Sequence, residues 1–195
     1  MSTSKYHHGN LYAALIDSGL ALLRRDGIDA LSLRGVAREA GVSPTAPYRH
    51  FADKEALLAA IAATGFARLD AALRAADETA FGVAALRAQG VAYVGFAVAE
   101  PALFRLMFGP LISATVDTPD PTALLDEAQA AYATLRRRVA RLVADSRVEI
   151  ASLAAWSMVH GLATLLVEGR IDASNPVALA EAITAQFILA ANERQ

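Results

Sequence analysis

Side chains that can bind phosphate oxygens cluster near the N-terminus of this 195-residue chain. They are the phenol of Tyr48, the guanidinium of Arg49, the imidazole of His50 and the ammonium group of Lys54. Such groups donate hydrogen bonds to a nucleic-acid backbone and fix the register of a protein on it without reading sequence. Residues 1–54 carry a net charge of +2, whereas the rest of the chain carries −4. This charge asymmetry predicts that the N-terminal part binds a polyanion.

Two short helices joined by a turn would position these groups. Ser32 is predicted to cap a helix over residues 33–40, and Gly41 to end it. Ser43 is predicted to cap a second short helix that ends near Phe51. This pattern is typical of a helix-turn-helix motif, although two helices meeting at a corner of a bundle would share it. The four donors gathered around one short helix favour DNA binding over a purely structural corner.

In a helix-turn-helix motif, the start of the second helix enters the major groove of DNA. Pro44, in the predicted first turn, and Thr45 and Ala46 would present methyl and hydroxyl groups to the base edges. Arg34, at the start of the first helix, can reach a guanine or a phosphate. The predicted DNA-contacting residues are Ser32, Arg34, Ser43, Pro44, Thr45, Ala46, Tyr48, Arg49, His50 and Lys54.

The composition predicts an all-α protein. There are 45 alanines, and alanine is the best helix former, whereas tracts of alternating β-branched residues are lacking. A hydrophobic share of 55% excludes a wholly disordered chain. The absence of cysteine excludes disulfide scaffolds, cysteine nucleophiles, iron–sulfur clusters and thiolate zinc sites. Since no catalytic constellation or phosphate-binding loop stands out, neither an enzyme nor a cofactor is expected.

Apolar spacing, helix-ending residues and helix caps predict about nine helices, of which Asp53 caps the fourth. They cover residues 10–25, 33–40, 44–51, 53–76, 81–99, 101–108, 122–144, 147–168 and 176–191. The uncharged stretch 150–167 has 18 residues, the lower limit for a transmembrane helix. A helix that is apolar all round can equally lie in a core or a subunit interface. Because the stretch contains Ser152 and His160, burial in protein is favoured and no membrane partner is expected.

Residues 10–58 resemble the tetracycline-repressor (TetR) family of bacterial transcription regulators. The specific combination is Ala-Gly-Val-Ser, then Tyr-x-His-Phe, then Lys-Glu-x-Leu-Leu, and it covers about a quarter of the chain. The residues that carry it are Gly27, Leu31, Ser32, Arg34, Val36, Ala37, Ala40, Gly41, Val42, Ser43, Tyr48, His50, Phe51, Lys54, Glu55, Leu57 and Leu58. Pro47 stands where the family usually has an aliphatic residue. Since proline lacks an N–H, the recognition helix is predicted to start later or to wind more tightly.

A second, weaker pattern is the Trp-x-x-x-His-Gly of residues 156–161, which resembles the C-terminal domain of one branch of the family. The resemblance implies a DNA-binding domain over residues 1–54, a connecting helix over 53–76, and a ligand-binding and dimerisation domain over 77–195. It also implies a homodimer through helices 147–168 and 176–191, bound to a palindromic operator on double-stranded DNA. Half-sites in such operators lie about 34–36 Å apart, or a multiple of that distance.

The resemblance further implies a small apolar ligand among the middle helices, in a pocket lined by apolar groups with a few oriented polar ones. The candidate lining residues are Tyr93, Phe96, Phe104, Met107, Phe108, Trp156 and His160. Each can equally be an ordinary core residue. Trp156 and His160, one helical turn apart, can equally form an interface pair.

Several features leave alternatives open. His7 and His8 could suggest a metal, but without a partner carboxylate an arm that meets the DNA backbone together with Lys5 is favoured, and no metal is expected. The basic run 136–138, with Arg141, is interpreted as a solvated helix face, with recognition of an acidic ligand or partner as the alternative. The polar N-terminal stretch lacks a signal peptide's apolar segment, so a cytoplasmic protein is expected. A helical ligand-binding protein with a vestigial helix-turn-helix remains the rival function.

Overall fold

The computed structural model describes residues 11–110, 112 and 122–192, and the side chains of 122 and 187–192 are outside that description. Within this part of the chain the structure is all-helical, as predicted, and contains no strand. The α-helices are α1 (Leu11–Asp26), α2 (Leu33–Glu39), α3 (Lys54–Glu78), α4 (Gly82–Ala99), α5 (Pro101–Phe108), α6 (Thr122–Ala140), α7 (Val148–Val167) and α8 (Pro176–Asn192). Short 3-10 helices cover Ile28–Ala30, Ala46–Arg49 and Asp145–Arg147.

Side-chain caps start two of the N-terminal helices, as the sequence predicts. The hydroxyl of Ser32 accepts a hydrogen bond from the Gly35 backbone N–H at 3.0 Å and starts α2. The carboxylate of Asp53 accepts one from the Ala56 N–H at 2.8 Å and starts α3. These bonds satisfy amide groups that the first turn of a helix leaves without partners. Gly41 follows α2 with φ 67°, a conformation in which a side chain would be strained.

The recognition segment differs from the predicted helix. It is one turn of 3-10 helix from Ala46 to Arg49, with Thr45 rather than Ser43 at its N-cap. The hydroxyl of Ser43 lies 3.2 Å from that of Thr45 and does not cap the helix. Pro47, not Pro44, occupies the first helical turn. Because Pro47 has no N–H to donate, an α-helical ladder that begins at Pro44 cannot pass through it. The sequence predicted a helix that starts later or winds more tightly, and the structure shows both.

Two packing layers share α3. Its N-terminal half packs with α1 and α2 around Leu15, Val36 and Leu57, which are all fully buried. Its C-terminal half packs against α4 and α6, while α4 in turn packs against α7 and α8. The helix predicted to end at residue 144 ends at Ala140, before the 3-10 turn that leads into α7. One helix therefore belongs both to the N-terminal bundle and to the C-terminal one.

Among the residues that the structure describes, three segments are long and apolar enough to cross a membrane, judged by length and composition alone: Lys54–Glu78, Gly82–Ala99 and Asp145–Val167. In the folded chain, 56% of the apolar window of the first is buried, but only 28% of that of the third. The first is therefore mostly covered by its neighbours within one chain. The third, which contains α7, leaves much of its apolar surface exposed.

Candidate nucleic-acid interface and internal cavity

The helix-turn-helix residues divide cleanly between an inner and an outer face. Leu33, Val36 and Phe51 are buried and anchor the motif to α1 and α3. The predicted DNA-contacting residues lie outside: eight are exposed, and Ala46 and Lys54 are half-buried. The exposed eight are Ser32, Arg34, Ser43, Pro44, Thr45, Tyr48, Arg49 and His50. These ten residues, all at least partly accessible, make up the candidate DNA surface.

The cations of this surface have no acidic partner within the described part of the chain. Neither Arg34, Arg49 nor Lys54 forms an ion pair there. By contrast, Arg24 binds Glu100 at 2.6 Å and Arg25 binds Glu39 at 3.1 Å. Side chains that are not neutralised by the protein are available to bind phosphates.

Arg38 is a further candidate that the sequence reasoning missed. It is exposed, is without an ion pair in the described residues, and lies one turn after Arg34 on α2. Residues four apart share a helix face, so both guanidinium groups lie on one side of α2. The four-residue spacing in the sequence could have revealed Arg38 as a candidate. With it, α2 presents two cations rather than one.

Aromatic packing holds the end of the recognition segment. The ring of Tyr12 on α1 lies 5.3 Å from that of Phe51 and 6.0 Å from that of His50, between ring centroids. Tyr48, by contrast, is 53% exposed and free to reach a partner. His50 is thus fixed against α1, while Tyr48 projects from the segment.

A cavity of about 280 Å³ lies among α3, α4, α6, α7 and α8 and the end of α5. Its wall is mostly apolar and aromatic. The lining residues are Phe66, Leu69, Leu73, Leu86, Arg87, Gln89, Gly90, Tyr93, Phe108, Ala128, Ala131, Tyr132, Leu135, Ala155, Trp156, Met158, Val159 and Thr184. An apolar cavity with a few polar groups is the usual form of a small-molecule site.

Three of the seven predicted lining residues are in this wall: Tyr93, Phe108 and Trp156. The other four are not. Phe104 and Met107 are almost fully buried, because α5 packs closely on α3, where a Cβ at Gly65 would lie 2.6 Å from the sulfur of Met107. Phe96 packs partly buried against the core, and His160 lies behind Tyr93. Aromatic spacing alone could not separate cavity wall from core.

The hydroxyl of Tyr93 joins Trp156 and His160. Burial raises the pKa of Tyr93, so the phenol keeps its proton. The indole Nε1–H of Trp156 can only donate, and it lies 3.4 Å from the Tyr93 oxygen. The buried O–H of Tyr93 needs an acceptor of its own, and Nδ1 of His160 lies 2.8 Å away; this pairing puts the imidazole proton on Nε2. Burial also lowers the pKa of His160, in keeping with a neutral ring.

The basic run on α6 corrects an expectation. Arg138 is not part of a solvated face: it is 8% exposed and donates from Nε and Nη2 to both carboxylate oxygens of Asp77 on α3, at 2.6 and 2.7 Å. Arg136 is exposed as predicted and pairs with Glu149. Sequence spacing could not reveal Asp77, because the two residues come from different helices. The same reason hid Gln89 and Thr184, two polar lining residues on α4 and α8.

No cluster of three or more histidine, aspartate or glutamate side chains that could hold a metal occurs among the described residues. Lys5, His7 and His8, for which a DNA-contacting arm is expected, lie outside them.

Comparisons with known proteins fit this architecture. Residues 15–61 match the model of bacterial regulatory proteins of the tetR family, and residues 86–187 match the tetracyclin repressor-like C-terminal domain. A search of curated proteins finds no match. Solved structures are similar over most of the chain.

One of these structures is a protein of unknown function from Rhodococcus sp. RHA1, with 36% identity, a TM-score of 0.78, and coverage of 94% of this chain and 96% of that one. Another is the TetR family transcriptional regulator PfmR from Thermus thermophilus, with 25% identity, a TM-score of 0.60, and coverage of 88% and 94%. The second family model alone spans more than half of the chain. Together with the exposed helix-turn-helix surface, these matches show that the chain belongs to the TetR family and is a DNA-binding transcriptional regulator.

Proposed function

We propose that the protein is a homodimeric repressor that releases a palindromic operator when a small molecule fills its internal cavity. The proposal assigns DNA reading to residues 1–54 and ligand binding and dimerisation to residues 77–195, in the cytoplasm. It also places the protein in the branch with the Trp-x-x-x-His-Gly pattern, whose tryptophan lines the cavity and whose histidine supports it through Tyr93.

This proposal rests on α3, which runs without a break from the candidate DNA surface to the cavity. Lys54, one of the candidate DNA contacts, begins the helix, and Phe66, Leu69 and Leu73 farther along it line the cavity. A 25-residue helix is about 38 Å long. Because α3 is one unbroken helix, a shift at the cavity moves its N-terminal end as well. A ligand that prefers one position of α3 would therefore change the spacing of the two DNA-reading heads.

A second copy is supported by the exposed apolar face of α7. Ile150 is 64% exposed, Leu153 46% and Leu165 44% in the single chain. They recur along one side of the helix, at the spacing of an apolar stripe. Pairing of α7 and α8 with the same helices of another chain would cover this face, and the two-fold symmetry would match a palindromic operator.

The DNA surface is tested by selecting genomic fragments that bind the purified protein, with Tyr48→Ala alongside. We expect one palindrome to be enriched by the wild type and lost by the variant. On that palindrome, Arg34→Ala should weaken binding and relax specificity, whereas Lys54→Ala should weaken binding to all sequences and reduce the salt slope by about 1.

Arg136→Ala serves as the control, because it removes an exposed arginine far along the chain on α6. It should bind the palindrome like the wild type. Salt-insensitive, weak binding to every DNA would overturn the proposal and favour the rival function, a helical ligand-binding protein with a vestigial helix-turn-helix.

A further inference from the structure

One residue of the cavity wall carries a buried polar atom that has no hydrogen-bond partner. Gln89 lies on the face of α4 that also presents Leu86, Gly90 and Tyr93 to the cavity, at helical spacing. Its side chain is 2% exposed, and among the described residues its carbonyl oxygen Oε1 is the buried side-chain atom without a partner. A buried polar atom left in this state costs free energy until something binds it.

The orientation of the Gln89 amide follows from its neighbours. The Nε2 group donates to Oδ1 of Asp77 at 2.7 Å. Asp77 also receives the two hydrogen bonds from Arg138, which lower the pKa of its carboxyl group and keep it ionised. An ionised carboxylate can only accept hydrogen bonds. Gln89 must therefore turn its NH2 group to Asp77, which leaves its carbonyl oxygen as an acceptor without a donor.

Other polar groups of the wall are already engaged. Thr184 donates to the Ala180 carbonyl oxygen at 2.8 Å, and Tyr132 donates to Glu149 at 3.3 Å. Trp156 and Tyr93 are joined in the bonds described above. Arg87 contributes the one cation of the lining residues, and its Nη2 donates to the Glu181 carbonyl oxygen at 3.4 Å. Arg87 is only half-buried, so its charge keeps part of its hydration.

We propose that the cavity takes an uncharged, mostly apolar molecule that carries one hydroxyl or N–H group, and that this group donates a hydrogen bond to Oε1 of Gln89. This deepens the proposed function and rests on it, since it names the chemical class of the ligand. The apolar and aromatic wall provides most of the binding, and Gln89 selects ligands with a donor. Asp77 and Arg138 are positioning residues that hold the Gln89 amide in the accepting orientation.

The test uses two isomers, 1-octanol and 1-methoxyheptane, which contain the same atoms but differ in the presence of a hydroxyl hydrogen. Trp156 is the only tryptophan of the chain and lines the cavity, so its fluorescence reports binding. The wild type should bind the alcohol roughly fivefold more tightly than the ether, the effect of one net hydrogen bond. Gln89→Met, of similar volume, should bind the two isomers equally. Gln129→Met, the same change at an exposed site of α6, should keep the preference.

Asp77→Asn tests the orientation of the amide with Gln89 still in place. The amide introduced by this substitution can accept from Arg138 and donate to Gln89, which lets Gln89 turn its NH2 group into the cavity. Because both isomers carry an acceptor oxygen, the preference should vanish, and the ether should bind more tightly than it does to the wild type. A thermal unfolding curve for each variant shows that it has folded.

Three results would overturn the proposal: equal binding of both isomers to the wild type, no binding of either up to its solubility, or tighter binding of octanoate than of 1-octanol. Tighter binding of octanoate would indicate that the Arg87 cation, rather than Gln89, recognises the polar group of the ligand. These titrations contain no DNA, so their failure is separate from a failure of operator selection, which would contradict the proposed function itself.

Discussion

At the scale of single residues, the imidazole of His160 is held in its neutral form by its surroundings. Its ring centroid lies 4.7 Å from that of Phe108 and 5.5 Å from that of Phe104, and its Nδ1 accepts from Tyr93. Protonation would remove this acceptor and place a charge among aromatic rings. Burial accordingly lowers the pKa of His160 below its ordinary value.

This pKa shift predicts a loss of stability in weak acid. Because the folded pKa lies below the unfolded value of about 6.5, the unfolded chain binds more protons between the two values. The free energy of unfolding should therefore be at its full value above pH 6.5 and fall as the pH drops through the window below it. Urea denaturation at fixed protein concentration, in steps from pH 7.5 to pH 5, measures this fall.

His160→Gln supplies the control for that measurement, because glutamine does not titrate. Its free energy of unfolding should change less over the same range. The lowered carboxyl pKa values of Asp77 and Glu100 act at a lower pH and so do not produce this slope. An equal slope in both proteins would contradict the assignment to His160.

Among the secondary-structure elements, the sequence predicted those features that depend on residues close together in the chain. The caps at Ser32 and Asp53, the break at Gly41 and the tight recognition turn around Pro47 all depend on residues within a few positions. The cavity wall depends instead on which helices meet. The spacing that suggested Phe104 as a lining residue is the same for core and for wall, and only the packing of α5 on α3 separates them.

The packing of α4 depends on the absence of a side chain at Gly90. A Cβ there would lie 2.8 Å from Cγ2 of Thr184 and 3.2 Å from Cγ1 of Val159, on α8 and α7. Thr184 cannot easily turn away, because it is 3% exposed and its hydroxyl binds the Ala180 carbonyl oxygen. Gly90→Ala should therefore destabilise the fold by about 1–3 kcal/mol, as overpacking does.

Gly95 on the same helix is the matched control, since a Cβ there has nothing within 4 Å. Gly95→Ala should stabilise the fold by up to ~1 kcal/mol, because alanine favours a helix over glycine. Chemical denaturation of both variants shows whether each substitution lowers or raises the free energy of unfolding. A stabilising Gly90→Ala would show that α4 does not approach α7 and α8 this closely.

At the scale of the whole molecule, two connections join the N-terminal bundle to the C-terminal one. The first is α3, and the second is the pair between Arg24 on α1 and Glu100 just before α5, with bonds of 2.8 and 2.6 Å. Both connections reach helices next to the cavity: α3 lines it, and α5 ends in Phe108, which also lines it. A change in the cavity therefore has two routes to the DNA surface.

The apolar face of α7 that carries Ile150, Leu153 and Leu165 is uncovered in the single chain. Leu153→Glu places a carboxylate on this face, and in a two-fold dimer the change occurs twice in one interface. Each buried charge without a partner costs about 3 kcal/mol, so the two together should raise the dissociation constant of the dimer roughly ten-thousandfold. Sedimentation velocity over a range of concentrations measures the shift, and operator binding should weaken with it.

Phe81→Glu is the control, because Phe81 is 91% exposed at the start of α4, away from this face. It should leave the dimer intact. Monomer stability should change little in either variant, since both side chains are exposed in the single chain. If Phe81→Glu dissociated the dimer while Leu153→Glu did not, the subunits would meet at the α3–α4 end rather than through α7. The distance between the two DNA-binding domains would then be set by that end of the molecule. A movement of α3 at the cavity would change this distance through the α3–α4 contact instead of through α7.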